Sequence, residues 1–306
     1  MERWPELRHD DWHDTQLTLQ LWTQIVGKIR LQRQPLVNHW WNVTLYVTSR
    51  GLTTSIMPYG DGRDFEITFD FIEHALHIRD CDGGARRIAL EPMSVATFYE
   101  RVMAELDALG MPVRINMKPN EVADAIPFDR DAQHASYDKD YAARFWRVLV
   151  EADRLCKQFR ASFLGKASPV HFFWGSFDLA QTRFSGRVAP PHPGGIPNLP
   201  DWVTREAYSR EEHSVGFWPG MPGLDALFYA YAYPEPAGFS QASIKPSEAS
   251  WNTTLKEFVL PYEAVRTSMD PDRAALDFFE STYAAAADLG KWDRPSLERR
   301  AGSRTK

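Results

Sequence analysis

Between residues 15 and 32 the apolar side chains fall on one stripe: Leu17, Leu21, Ile25 and Ile29, with Trp22 and Val26 beside them. This is the three-to-four-residue period of an amphipathic helix, and Pro35 ends it, because proline has no N–H to extend the ladder. From Val43 the period changes to two. Val43, Leu45 and Val47 alternate with Thr44, Tyr46 and Thr48, a half-buried strand, and Ser49-Arg50-Gly51 turns the chain into a second strand over 52–57. Phe65, Ile67, Phe69 and Phe71 alternate against Glu66, Thr68 and Asp70, and short strands follow at 75–79 and 85–90. Ser94 is placed to cap a helix running to Leu109, with Gly110 as its left-handed stop. The first part of the chain therefore reads helix, four or five antiparallel strands, helix.

The same order returns. Phe98-Tyr99-Glu100 through Ala104 to Leu109-Gly110 aligns without gaps on Phe278-Phe279-Glu280 through Ala284 to Leu289-Gly290. Leu21-Trp22, Ile25-Val26 and Arg30-Leu31 recur at matching spacing as Phe145-Trp146, Leu149-Val150 and Arg154-Leu155. Each of those helices is followed by proline, then histidine among aromatics: Pro35 with His39-Trp40-Trp41, and Pro169 with His171-Phe172-Phe173-Trp174. The pattern predicts an α+β fold with an internal duplication of an αββββα unit, its antiparallel sheets carrying helices on one face. The first half covers 1–118, a polar connector 119–137, the second half 138–295, and a frayed basic tail 296–306. Two separate sheets joined by the Asp-rich connector are the competing architecture.

The copies differ at one place. In the first, a tight turn at Arg50-Gly51 joins strands; in the second, a Pro/Gly-rich insertion, 187–212, separates the strand ending near Gly186 from the one near His213. Loops beyond ~12–15 residues are uncommon in compact domains and usually serve as lids or binding loops. Closely spaced prolines stiffen this one, and Trp202 and Tyr208 give it something to bury, so it reads as a packed lobe over a sheet edge. A lobe that only covers an edge strand or builds a dimer contact explains it equally well.

Composition narrows the function classes. A net charge of −6 without a basic stripe argues against nucleic acid. No stretch reaches the ~18 apolar residues of a membrane span and the first residues lack a signal peptide, so a cytoplasmic protein is expected. The two cysteines, Cys81 and Cys156, have no CxxC spacing, and Cys156 falls on an apolar helix face as a reduced thiol. Aromatic residues make up 13% of the chain, enough to supply either a thick core or the walls of a small-ligand pocket.

Polar groups thicken around the insertion. His171, Asp178 and Arg183 lie along one stretch of strand, His192 sits among the prolines, and Glu211-Glu212-His213 close the loop. A histidine, a carboxylate and an arginine suit proton transfer on an anionic molecule, with Arg183 as the clamp; an Asp178–Arg183 structural ion pair is the plainer reading. In an unbroken strand Asp178 would face away from His171 and Arg183, and a bulge at Gly175 would turn it toward His171. His39, Trp40, Trp41, Arg50, Trp174, Glu212 and His213 are the expected ligand-binding surroundings, no spacing brings metal ligands together, and the sequence names no cofactor.

Trp22-Thr23-Gln24-Ile25-Val26-Gly27-Lys28, Asn38-His39-Trp40-Trp41, Arg50-Gly51-Leu52-Thr53-Thr54, His134-Ala135-Ser136-Tyr137 and the run from Ser168 to Asp178 resemble a bacterial family known only as a domain of unknown function. The likeness spans almost the whole chain. It implies a bacterial protein that works as one unit and carries no activity over. The expectation is a small polar or anionic molecule bound or transformed in an aromatic-walled pocket. A non-catalytic binder or sensor, and an interaction module using the Pro-rich lobe, are the alternatives. Two halves with matching surfaces also admit a homodimer.

Overall fold

The apolar stripe of residues 15–32 becomes α1 (His13–Arg33), which buries Trp22, Ile25 and Ile29. The chain is described by a computed structural model over residues 2–299. Six strands follow: β1 (Tyr46–Val47), β2 (Gly51–Thr53), β3 (Met57–Gly60), β4 (Arg63–Asp70), β5 (Ala75–Asp80) and β6 (Ala85–Ala89). β2 and β3 lie along the same edge of β4, so the antiparallel sheet runs β1-β2-β4-β5-β6. The alternation in β4 puts Phe65, Ile67 and Phe69 under the helices, where Phe98 stacks between Trp22 and Phe69. α2 (Val95–Ala108) begins where expected: Ser94 accepts the Thr97 N–H at 3.1 Å, and Gly110 takes φ +68°.

α3 (Lys139–Ala161) opens the second part, followed by β7 (His171–Phe173), β8 (Asp178–Val188), α4 (Asp201–Ala207), β9 (Arg210–Trp218) and β10 (Leu227–Tyr233). β11 (Ser250–Asn252), β12 (Glu257–Pro261), α5 (Tyr262–Arg266), α6 (Pro271–Leu289) and α7 (Arg294–Leu297) complete it. The second sheet runs β11-β12-β10-β9-β8-β7. The fold is α+β, with two six-stranded antiparallel sheets. The two sheets touch where Leu45 and Phe172 exchange both backbone hydrogen bonds at 2.9 Å, edge against edge. Both parts place their elements in similar order; that order alone does not establish a duplication.

Three local readings change. Gly175 is not a bulge: residues 174–177 form the turn of a β7–β8 hairpin, closed by the Phe177 N–H on the Phe173 carbonyl with Phe177 at φ +62°. The connector is not a bare linker, because Phe128 is fully buried and Gln24 and Lys28 of α1 hold its backbone at Asn120 and Lys118. Ser296 and Leu297 belong to α7, and Arg299 bonds to the Ser162 carbonyl; the rest of the expected tail lies outside the described residues.

Candidate functional site

The hairpin decides which side chains share a face. Phe173 pairs with Asp178 and His171 with Ala180, so His171 and Asp178 point the same way, opposite to the side covered by α3 and α6. Cross-strand partners extend that face: Ala180, Gly216 and Tyr229 in one row, Thr182, Ser214 and Tyr231 in the next, then Phe184, Glu212 and Tyr233. Glu257 of β12 belongs to it by alternation from Val259, the partner of Tyr229. Its centre is built of small residues. Gly216 has to be glycine, since a Cβ there would meet the Leu179 carbonyl and the Tyr229 ring.

Three segments roof this face. The 38–41 corner brings His39 and Trp41 against Phe184, and Trp40 packs on Trp202 of α4 at 5.1 Å. The insertion lays His192 on Tyr208, ring centres 4.6 Å apart, and the Tyr233 hydroxyl bonds to the Pro190 carbonyl at 3.0 Å. The connector is tied to the insertion by Glu121 N–H to Pro197 O (2.9 Å), Asn120 Nδ2 to Asn198 O (2.6 Å) and Asn198 Nδ2 to Val122 O (2.6 Å). The lobe expected from the sequence is thus a packed cover containing a short helix.

Beneath the roof lie four carboxyls. Asp178 accepts from the Ser176 hydroxyl at 2.6 Å and from the Tyr229 hydroxyl, and burial raises its pKa against those bonds. Glu121 lies against Gly175; burial and the Asp178 charge push it up to about 7. The same causes push Glu257 up to about 8. Burial holds Glu212 well above its ordinary value, while Lys166 and Tyr231 pull the other way. The Tyr208 and Tyr231 hydroxyls meet at 3.2 Å, and burial beside these acids raises both phenols. Among the described residues no Lys, Arg or His nitrogen comes within 4.0 Å of any of the four carboxyls.

His171, Asp178 and Glu212 share this face, with His192 above it and His39, Trp40 and Trp41 at its rim. His171 is 1% exposed, neither ring nitrogen has a partner, and Trp41, Tyr46 and Phe173 surround it at 5.6–5.7 Å. Burial, with Arg30 and Arg160 nearby, lowers its pKa to about 3, so it is neutral. Arg183 is not brought to the site. It lies on the helix side, stacked 3.4 Å over Phe159 and bonded to Ser162 Oγ at 2.9 Å, so it neither pairs with Asp178 nor clamps an anion beside it. Its cross-strand partner His213 is fully buried on that side too, with its pKa lowered to about 3 by burial and Arg183. Trp174 packs over Gly27 and bonds to the Val43 carbonyl at 2.7 Å. Arg50 sits in the first sheet, paired with Asp70 and with Glu73 at 2.9 Å.

Sequence reasoning missed Glu121, Glu257, Lys166 and the tyrosines of β10. A signal existed for the last: Tyr229, Tyr231 and Tyr233 alternate with alanines, a polar stripe on one strand face. Elsewhere, Asp70, Glu73 and His77 bring ligand atoms within 4.8 Å of one another, but Arg50 already neutralises two of them. An open groove of about 700 Å³ beside the start of α1 is lined by Asp10, Asp11, Asp14 and Asp138, all exposed and able to keep their hydration. The roofed face is therefore the stronger candidate. Residues 4–299 match the model of a family described as a family of unknown function (DUF5996). No curated protein and no solved structure matches the chain.

Proposed function

Because the chain belongs to the DUF5996 family, whose function is unknown, we propose from the geometry that the roofed face binds a small polar molecule of neutral or positive charge. One observation carries this reading: Asp178, Glu212 and Glu257 on the face with three tyrosines, and Glu121 from the connector against it, have no ion-pair partner among the described residues. A carboxyl withdrawn from water with no cation beside it is costly, and proteins keep such groups where a ligand completes them. An ammonium or several hydroxyls would do so, and the tyrosine faces would add cation–π attraction. Glu121 and Glu257, titrating near neutrality, could give and take a proton from such a molecule. The anion clamp drawn from Arg183 has no place in this arrangement. Helices too short or too polar to cross a membrane, among the described residues, and two free thiols fit a cytoplasmic setting.

The test is a thermal-shift and calorimetric series of small diamines and hydroxylated amines against dicarboxylates of equal size. Amines should raise Tm by several degrees and release protons at pH 7, since a cation lowers the raised carboxyl pKa values; Asp178→Asn should abolish both effects. Stabilisation by dicarboxylates alone would overturn the reading. A second reading, a docking module, is favoured by the outer side of the lobe, where Trp202 is 58% and Val188 70% exposed.

A further inference from the structure

At the rim of the roofed face, Lys166 Nζ stands 2.6 Å from His39 Nε2, and His39 Nδ1 stands 2.6 Å from the Ala207 carbonyl oxygen. A carbonyl only accepts, so Nδ1 carries the imidazole hydrogen and Nε2 presents its lone pair to the lysine. The amine is held over the faces of Trp41 (5.2 Å) and Phe184 (4.8 Å). His39 and Trp40 are consecutive non-glycine residues at φ +58° and +60°. Each such conformation costs of order 1–3 kcal/mol, and an observed outlier of this kind points to function. The corner is thus bent against its own preference, and the bend aims His39 at Lys166.

We propose that Lys166 is a nucleophilic amine, deprotonated by His39, that captures a small aldehyde or ketone as an imine. The Lys166 ammonium passes a proton to His39 Nε2, and the free amine attacks the carbonyl carbon, forming a C–N bond. The carbonyl electron pair moves to oxygen, which takes the proton back from His39. Of the two protons left on nitrogen, one passes to that hydroxyl, which leaves as water, and the nitrogen lone pair closes a C=N bond that keeps the other, giving a protonated imine. No oxidant or reductant is needed. Desolvation and Arg210 lower the pKa of Lys166, itself an exposed residue, and Glu212 opposes them; burial lowers that of His39, with Lys166 and Arg210 adding to it and the Ala207 carbonyl opposing.

The test treats the full chain with a limiting amount of 4-nitrobenzaldehyde and cyanoborohydride, which reduces any imine to a stable amine, followed by peptide mass mapping over the nine lysines. Lys166 should be modified at least tenfold faster than Lys139 and Lys256, which are exposed as it is. His39→Asn, whose new side chain tolerates a positive φ but cannot reach Nζ, should bring Lys166 to their level. Labelling of Lys166 at the rate of those lysines would overturn the proposal, and so would undiminished labelling in folded His39→Asn. The wild-type ratio decides alone if that variant does not fold. Amine binding at the carboxyls is measured separately, so failure of one reading leaves the other intact.

Discussion

Glu121 and Glu257 are the side chains whose surroundings matter most for charge. Their pKa values rise from the ordinary 4.5 to about 7 and about 8, so the folded chain binds more protons than the unfolded one across that window. The stability they contribute is complete below about pH 4.5 and is lost as pH rises through 7 and 8. The melting temperature should therefore fall between pH 5 and 8, and Glu257→Gln should flatten its share of that slope, worth roughly 1–3 kcal/mol. A Tm that climbs over the same range, or a slope untouched by the substitution, would contradict the raised values. His171 makes the opposite case. It is already neutral and caged by rings, so protonating it is not part of any work near pH 7.

Among the elements, β9 and β10 set the depth of the face. Gly216 lets the Tyr229 ring lie flat and send its hydroxyl to Asp178. Gly216→Ala should cost about 1–3 kcal/mol by overpacking and should weaken amine binding by displacing that ring; urea unfolding and a titration would show both. β4 was legible because Phe65, Ile67 and Phe69 alternate with polar residues at period two, and α2 because Ser94 and Gly110 punctuate it. The β7–β8 hairpin was not. Its turn depends on Phe177 in the left-handed region, where no local preference places a phenylalanine, so 170–184 reads as strand interrupted by a bulge at Gly175. Glu121 was illegible for another reason: it lies in a polar stretch whose position is imposed by Gln24, Lys28 and Asn198, distant in sequence. Lys166 follows Gly165 in a short turn and gains meaning only from His39, which folding brings to it.

At the scale of the whole molecule, one buried cluster runs from Trp4 to Ala287 through both sheets, so neither part has a core to itself. Unfolding should then be a single transition. Phe172→Ala, which removes a fully buried ring at the joint between the sheets, should cost about 3–5 kcal/mol while circular dichroism and tryptophan emission still change together. Two separated transitions would show that the sheets hold independently.

That joint also orders events in time. When the first part of the chain leaves the ribosome, the outer side of β1 offers its backbone groups to any strand it meets, and its partner is not yet made. Leu45 finds Phe172 only after the connector and all of α3 have been synthesised, and the Pro5 carbonyl waits longer still for the Tyr262 hydroxyl. The nascent chain must spend that interval with an open edge, which makes the stretch around residue 45 the place where a chaperone would be needed and where a truncated product would stick to its neighbours.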